Sequence, residues 1–256
     1  MRKRALGFTL IELMVAVVVF VVLGMIIAQV TALTGSAIRE SNRRMDAVNQ
    51  ARVALDRFTL DLLQMSRDPR SLYQVDKLPG NDGLSFYAEV PAYSGRRRVS
   101  FVNYRVQTDA ATSRLRLERG LTGTDWEATG GSKPLNVSSV ETVGANDFGI
   151  LGESVFRVEY AFVMKADGSL VASPGPNFAQ VGAMIVTVAA MDPESAKLVT
   201  PAQWNSLVAA LTDAVDGQFP LKAWTDQVGT AGFLALAAKN ATASVRIFQR
   251  SIVLNP

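Results

Sequence analysis

The most restrictive feature of this sequence is an unbroken apolar segment near its N-terminus. Residues 13–28 are LMVAVVVFVVLGMIIA and include no polar side chain. If scattered polar residues are allowed, the segment extends from Phe8 to Leu33, roughly 39 Å of α-helix at ~1.5 Å per residue. Because the hydrocarbon core of a bilayer is ~30 Å thick, a helix over this range is long enough to span a membrane.

The basic residues next to this segment predict its orientation. Arg2, Lys3 and Arg4 precede it directly, and no comparable cluster follows closely. Under the positive-inside rule the N-terminus stays in the cytoplasm and the rest of the chain is exported. These three residues also account for the formal charge of +3, because without them 23 basic side chains would face 23 acidic ones. The basic balance therefore does not indicate a nucleic-acid partner, and we predict none.

The composition excludes several classes of enzyme. The sequence has neither cysteine nor histidine, which rules out thiolate chemistry, a Ser-His-Asp hydrolase and a histidine-ligated metal. No glycine loop of the phosphate-binding type is present, and no pair of carboxylates stands out. We predict a protein that is not an enzyme, with no cofactor, catalytic residue or metal site.

Glu12 distinguishes three interpretations of the apolar segment: a cleaved secretory signal, an ordinary signal anchor and a processed leader. A secretory signal would end in small residues at a cleavage site, whereas residues 29–33 lead into a further helical pattern. An ordinary anchor explains the hydrophobicity but not a carboxylate, which costs a few kcal/mol within such a segment unless it finds a partner. The alternative for Glu12 is that it extends toward the headgroups, since it lies near one end.

The string from Lys3 to Leu13, KRALGFTLIEL, resembles the type IV prepilin cleavage and N-methylation motif. This resemblance implies that a prepilin peptidase cuts after Gly7 and methylates the new N-terminal residue, Phe8. Glu12 then becomes the fifth residue of the mature chain. The family implies that Glu12 neutralises the terminal amine of a neighbouring subunit. Such a pair lowers the cost of two charges in an apolar setting and fixes the register between subunits.

The pattern beyond Gly35 predicts that the helix continues in amphipathic form to about Ser66. One stripe combines apolar residues at spacings of three, four and seven: Met45, Val48, Leu55, Phe58, Leu62 and Met65. We interpret it mainly as core packing, with a partner-helix interface as the alternative. The expected organisation is a leader over residues 1–7, a transmembrane and filament-core helix over 8–33, its amphipathic half over 34–68, and an exported domain over 69–256.

The period changes to two-residue alternation from Leu84 onward, which predicts an antiparallel sheet. The expected strands are Leu84–Val90, Arg97–Gln107, Arg114–Arg119, Val155–Lys165, Gly182–Met191 and Ala243–Leu254. Between the last two lies an Ala-rich helical insertion at about residues 193–239, and Thr122–Gly152 is expected to be an irregular connection. The predicted fold class is α+β: a pilin-like long N-terminal helix packed on an antiparallel sheet domain with a helical insertion.

Two further segments are similar to larger minor pilins of the PilW and GspJ type, and more narrowly to the Verru_Chthon cassette protein C family. These are Arg52–Leu63 (RVALDRFTLDLL) and Arg246–Leu254 (RIFQRSIVL). The resemblance implies a minor pilin or pseudopilin of a type IV pilus or type II secretion-like filament. Its partners would be other pilin or pseudopilin subunits and an inner-membrane assembly platform. It would lie in the inner membrane with a periplasmic C-terminal domain, and then in a filament at the cell surface.

Two alternative functions remain open from the sequence: a bitopic membrane protein whose outer domain binds a ligand, and a DNA-binding competence pseudopilin. Arg96, Arg97 and Arg98 are the residues that the DNA hypothesis would use, but a solvated hairpin shoulder explains them better, because few aromatic residues lie nearby to stack on bases. Asn81-Asp82-Gly83 and Asn146-Asp147 are rich in oxygen, but turn chemistry accounts for them better than calcium binding. Trp204 and Trp224 suit either a core or a docking patch.

Overall fold

The computed structural model describes residues 9–66, 73–91, 99–124, 142–175 and 178–254. Its elements are one long helix, nine strands and five short helices within this part of the chain. The helices are α1 (Leu10–Leu63), α2 (Pro193–Ala196), α3 (Pro201–Ala210), α4 (Pro220–Val228), α5 (Ala231–Leu234) and α6 (Lys239–Ser244). The strands are β1 (Tyr73–Asp76), β2 (Gly83–Ala88), β3 (Val99–Thr108), β4 (Leu115–Thr124), β5 (Phe148–Gly152), β6 (Val155–Met164), β7 (Leu170–Val171), β8 (Val181–Ala190) and β9 (Arg246–Val253).

The strands form two antiparallel sheets. The first sheet has the order β1-β2-β3-β4-β5, in which every neighbour is also consecutive in sequence. The second sheet has the order β7-β6-β8-β9. The chain divides into two compact units at Arg43, and both sheets belong to the second unit. The α+β fold class with a long N-terminal helix and a helical insertion is thereby confirmed.

One core joins the second half of α1 to both sheets. The helix contributes a face of small and large apolar residues: Ala51, Ala54, Leu55, Phe58 and Leu62. Phe58 stacks on Tyr104 of β3 at 4.0 Å between ring centroids and meets Tyr160 of β6 edge-on at 5.9 Å. These aromatic contacts fix the helix against one strand of each sheet.

The predicted helix stripe is partly wrong. Leu55, Phe58 and Leu62 are buried as expected, but Met45 and Val48 are exposed. The core side of this part of the helix is lined by alanines instead, because Ala47, Ala51 and Ala54 are fully buried. Alanine allows the helix to approach its neighbours closely, and a search for large apolar residues overlooks it.

A second core lies beneath the short helices between β8 and β9. Trp204 of α3, Trp224 of α4 and Phe233 of α5 are buried there together with Phe156 and Met191. The sequence leaves both tryptophans open as core anchors or docking residues, and the structure makes them core anchors. Within the predicted helical insertion at about residues 193–239 the structure has five short helices, α2 to α6, and the last of them extends beyond the predicted range to Ser244.

Strands β1, β5 and β7 were not predicted. Each is short, and β5 lies at the end of the expected irregular connection, of which residues 125–141 are outside the described residues. The cluster Arg96–Arg98 is also outside them.

Candidate assembly site

The first residues of α1 form a reciprocal cap. Thr9 donates its backbone N–H and its hydroxyl to Oε2 of Glu12 at 2.8 and 2.9 Å, and its Oγ1 accepts the N–H of Glu12 at 3.3 Å. This is a capping box, in which residues three apart satisfy helix N–H groups that would otherwise lack a partner. The cap holds the Glu12 carboxylate at the start of the helix. Gly7 and Phe8, the predicted cleavage and methylation residues, lie outside the described residues.

The helix that follows the cap presents an apolar surface. Every large apolar side chain from Leu10 to Leu33 is exposed in the isolated chain. Of the described helices, α1 alone is long and apolar enough to cross a membrane, by length and composition. Such a surface is stable in lipid or against other apolar helices, but not in water.

The second half of α1 has an exposed face of its own, opposite the core. Four large apolar residues lie on it: Met45, Val53, Leu60 and Leu63. Around them are polar and charged residues such as Asn49 and Asp56. We call these four residues the outer stripe. A partner-helix interface would have to use this outer stripe, which shares only Met45 with the predicted stripe, because Leu55, Phe58 and Leu62 of the predicted stripe are in the core.

A buried ionic cluster fixes the same helix from its inner side. Asp61, which has no exposed surface, accepts hydrogen bonds from Arg119 of β4 through Nε at 2.5 Å and Nη2 at 3.0 Å. The hydroxyl of Tyr104 donates to Asp61 Oδ2 at 2.5 Å, and Arg57 Nη2 lies 3.1 Å from Oδ1. Burial and the adjacent Asp61 carboxylate raise the pKa of the Tyr104 phenol well above its ordinary value. Sequence reasoning missed this cluster, since its residues are far apart in the chain.

An open cavity of about 300 Å³ lies beside this cluster. It is lined by Arg57, Pro91, Arg119, Leu121, Gly149, Ile150 and Leu151. The Arg119 side chain is buried and paired with Asp61. Of the two charged side chains in the cavity wall, Arg57 is therefore the one with substantial exposure. Among the described residues no group of three or more acidic side chains is placed to hold a metal ion.

The two oxygen-rich loops occupy different settings. Asn146-Asp147 is part of a short 3-10 helix at the surface before β5. Asn81 and Asp82 instead contact β6 with both backbone and side-chain atoms, and Asp82 is buried. The prediction that Asn81 and Asp82 serve only to form a turn is therefore incomplete, because both residues also form hydrogen bonds with β6.

One comparison with known proteins, against family models, matches the N-terminal motif. Residues 2–28 match the model of the prokaryotic N-terminal methylation motif. Among solved structures, a type IV-like pilin from Thermus thermophilus is similar to this chain, with 12% identity and a TM-score of 0.43 over 81% of this chain and 95% of that one. No curated protein matches the sequence. The chain therefore carries the N-terminal methylation motif of type IV pilin-like proteins, and this motif implies processing by a prepilin peptidase and assembly with other pilins.

Proposed function

We propose that this protein is a minor pilin or pseudopilin, a structural subunit of a type IV pilus or type II secretion-like filament. The observation that carries the proposal is the methylation motif at residues 2–28, which runs directly into an exposed apolar helix. In this proposal prepilin peptidase cuts after Gly7 and methylates Phe8. The inner membrane holds residues 8–33, with the N-terminus in the cytoplasm and the sheet domain in the periplasm, until an assembly platform inserts the subunit into the filament.

Glu12 would set the register between subunits. Cleavage produces a cationic amine at Phe8, and a carboxylate that pairs with it removes the cost of two isolated charges in an apolar core. The Thr9–Glu12 cap supports this role, because it holds the carboxylate near the new N-terminus before any neighbour arrives.

The first prediction concerns the mass of the protein from its native host. We expect intact-mass analysis to show loss of residues 1–7 and gain of one methyl group on Phe8. A variant with Gly7→Leu, which places a bulky side chain at the cleavage point, should keep all residues because the peptidase cleft accommodates a backbone without a side chain there. A full-length, unmethylated wild-type chain would favour the bitopic alternative with a ligand-binding outer domain.

The outer stripe supports a second contact between subunits, helix against helix. An exposed apolar face opposite a well-packed core is suited to pack against a neighbouring subunit. In the isolated subunit these four large apolar side chains are exposed to water, so they would be buried only by contact with another molecule.

The second prediction tests this stripe. We expect Val53→Ser combined with Leu60→Ser to lower incorporation into filaments by about tenfold or more, since each buried apolar side chain contributes ~1.5 kcal/mol or more at an interface. Stability of the isolated subunit should change little, because both side chains are exposed. Val253→Ser, an equally exposed residue on β9, is the matched control and should incorporate normally. Equal incorporation of the double variant and the control would exclude the stripe as an interface.

A further inference from the structure

The segment from Lys77 to Asp82 takes the place of a strand on β6. Strand β7 pairs with β6 only at Phe162 and Val163, so the first half of β6 has no strand partner on that side in the described structure. The side chain of Asn81 fills the gap by accepting from the N–H of Val158 at 2.9 Å and donating to the carbonyl of Phe156 at 3.1 Å. Side chains thus do what a backbone ladder does elsewhere in a sheet.

Asp82 and Lys77 complete the same edge. The N–H of Asp82 donates to the carbonyl of Val158, and Asp82 Oδ2 accepts the N–H of Tyr160 at 2.9 Å. Lys77 Nζ donates to the carbonyl of Tyr160 at 2.5 Å. Five backbone groups of β6 are satisfied in this way by residues 77–82, which we call the latch. Because the latch connects β1 to β2, it joins the first sheet to the second.

Buried charges hold the latch in place. Lys77 Nζ lies between two carboxylates, at 2.6 Å from Asp82 Oδ2 and 2.7 Å from Glu159 Oε1. Glu159 also accepts the N–H of Ala214 at 2.9 Å and lies 2.9 Å from Arg157.

The insertion contributes one more charge to this network. Arg157 is paired with Asp213, and the same Asp213 accepts the N–H of Gly80 at 3.2 Å. Gly80 has a φ of 98°, which only glycine adopts readily. The groups that face the latch are therefore Lys77 and Asp82 from the latch itself, Arg157, Glu159 and Tyr160 from β6, and Asp213 from the segment after α3.

One position in this network is unfavourable for a charge. Asp82 is buried, and its Oδ1 has no hydrogen-bond partner within the described residues. Burial raises the pKa of Asp82 to about 7; Lys77 opposes this change, while the nearby Glu159 carboxylate adds to it. Asp82, buried and close to a second carboxylate, therefore holds a proton more readily than it would in water.

We propose that the latch is controlled by a proton: with a proton on Asp82 it closes the edge of β6, and loss of that proton loosens it. The closed latch keeps the first half of β6 from pairing with another chain, since an unpaired strand edge is a template for association. The subunit would thus expose or protect this edge according to the pH of its surroundings. This device does not depend on the proposed role in a filament.

The direction of the effect follows from the raised pKa. In the opened latch Asp82 returns toward its ordinary value of 3.8. The closed form is therefore most favoured at pH values below about 4, and the advantage is lost as the pH rises through about 7. Closure weakens toward alkaline pH, which is opposite to the behaviour of a carboxylate in an ordinary salt bridge.

Hydrogen exchange of the full-length chain in detergent tests the proposal. The readout is the protection of the amides of Val158 and Tyr160, corrected for the intrinsic dependence of exchange on pH. We expect protection to fall by at least about tenfold between pH 5 and pH 8, on the basis of a proton bound more tightly in the closed form. Asp82→Asn should remove this dependence, because the amide keeps an acceptor for Tyr160 and carries no charge.

Two further variants make the outcome decisive. Glu159→Gln removes the neighbouring negative charge and should move the midpoint of the pH-dependent loss of protection to lower pH. This variant tests the proposal even if Asp82→Asn fails to fold. Asp216→Asn, whose carboxylate accepts the N–H of Ala172 at the surface, should behave like the wild type. Flat protection in the wild type, or an unchanged pH dependence in both Asp82→Asn and Glu159→Gln, would overturn the proposal.

Discussion

Glu12→Ala is expected to enter the membrane normally and to be almost absent from filaments in the native host. Insertion tolerates the change because alanine is less costly than a carboxylate within an apolar helix. In the proposed filament, incorporation would fail because the methylated amine expected at Phe8 would lose its partner in an apolar environment. An unpaired charge there costs ~2.5–3.5 kcal/mol, which corresponds to about a hundredfold loss. Quantitative immunoblotting of sheared filaments and of membranes, from the same cells, measures both quantities.

The Thr9–Glu12 cap offers a way to separate charge from helix capping. Glutamine in place of Glu12 keeps an acceptor for the N–H of Thr9 but has no charge, whereas Thr9→Ala removes the cap and keeps the charge. If pairing with the amine is what matters, Glu12→Gln should fail nearly as badly as Glu12→Ala, and Thr9→Ala should assemble. The reverse result would assign Glu12 to capping and remove it from the contact between subunits.

The sequence predicts features that depend on neighbouring residues better than contacts between residues that are far apart in the chain. The apolar helix, the motif around Gly7 and Glu12, and six of the strands are visible because each depends on neighbours in the chain. The alternation of apolar and charged residues along β6 is also visible in the sequence, but the burial of its charged residues is not. Arg157 and Glu159 look like an outward face of that strand, yet both are fully buried because the insertion and the latch cover them.

The position of Phe156 shows how one β-bulge interrupts the two-residue alternation of a strand. By alternation it belongs with Val158 and Tyr160, but it packs against Trp204 in the second core. The pairing with β8 shifts between Val155 and Arg157, so Phe156 is the extra residue of a bulge. A bulge moves one side chain to the other face of the sheet, and a two-residue period has no signal for it.

The ionic cluster around Asp61 is the clearest case of a feature that only the fold reveals. Asp61 appears in the sequence as one of several acidic residues on an amphipathic helix. Its charge partner Arg119 is 58 residues away and on the fourth strand. The contact depends on the angle at which α1 meets the first sheet, which no local pattern encodes. It also supplies the largest stability effect expected for this chain.

Asp61→Ala should lower the free energy of unfolding by about 3–5 kcal/mol, because Arg119 and the Tyr104 hydroxyl would remain buried without the carboxylate they share. Urea unfolding of the full-length chain in detergent, followed by tryptophan fluorescence, measures the change through Trp204 and Trp224. The matched control is Asp56→Ala. It makes the same substitution on the same helix, but Asp56 is half exposed and its partner Arg250 is partly solvated, so we expect a loss of only ~0–1 kcal/mol.

A double variant distinguishes a buried charge from a simple loss of packing. Asp61→Leu with Arg119→Met replaces the ion pair by apolar side chains of similar volume, and it should be more stable than either single change, because it leaves neither partner of the pair behind as an isolated charge. The Tyr104 hydroxyl would still lack its acceptor, so recovery should fall short of the wild type by about 1–3 kcal/mol. If the double variant loses as much stability as the two single variants added together, the carboxylate and the guanidinium act independently. In that case aromatic packing of Phe58, rather than the ionic cluster, would be what fixes α1 to the first sheet.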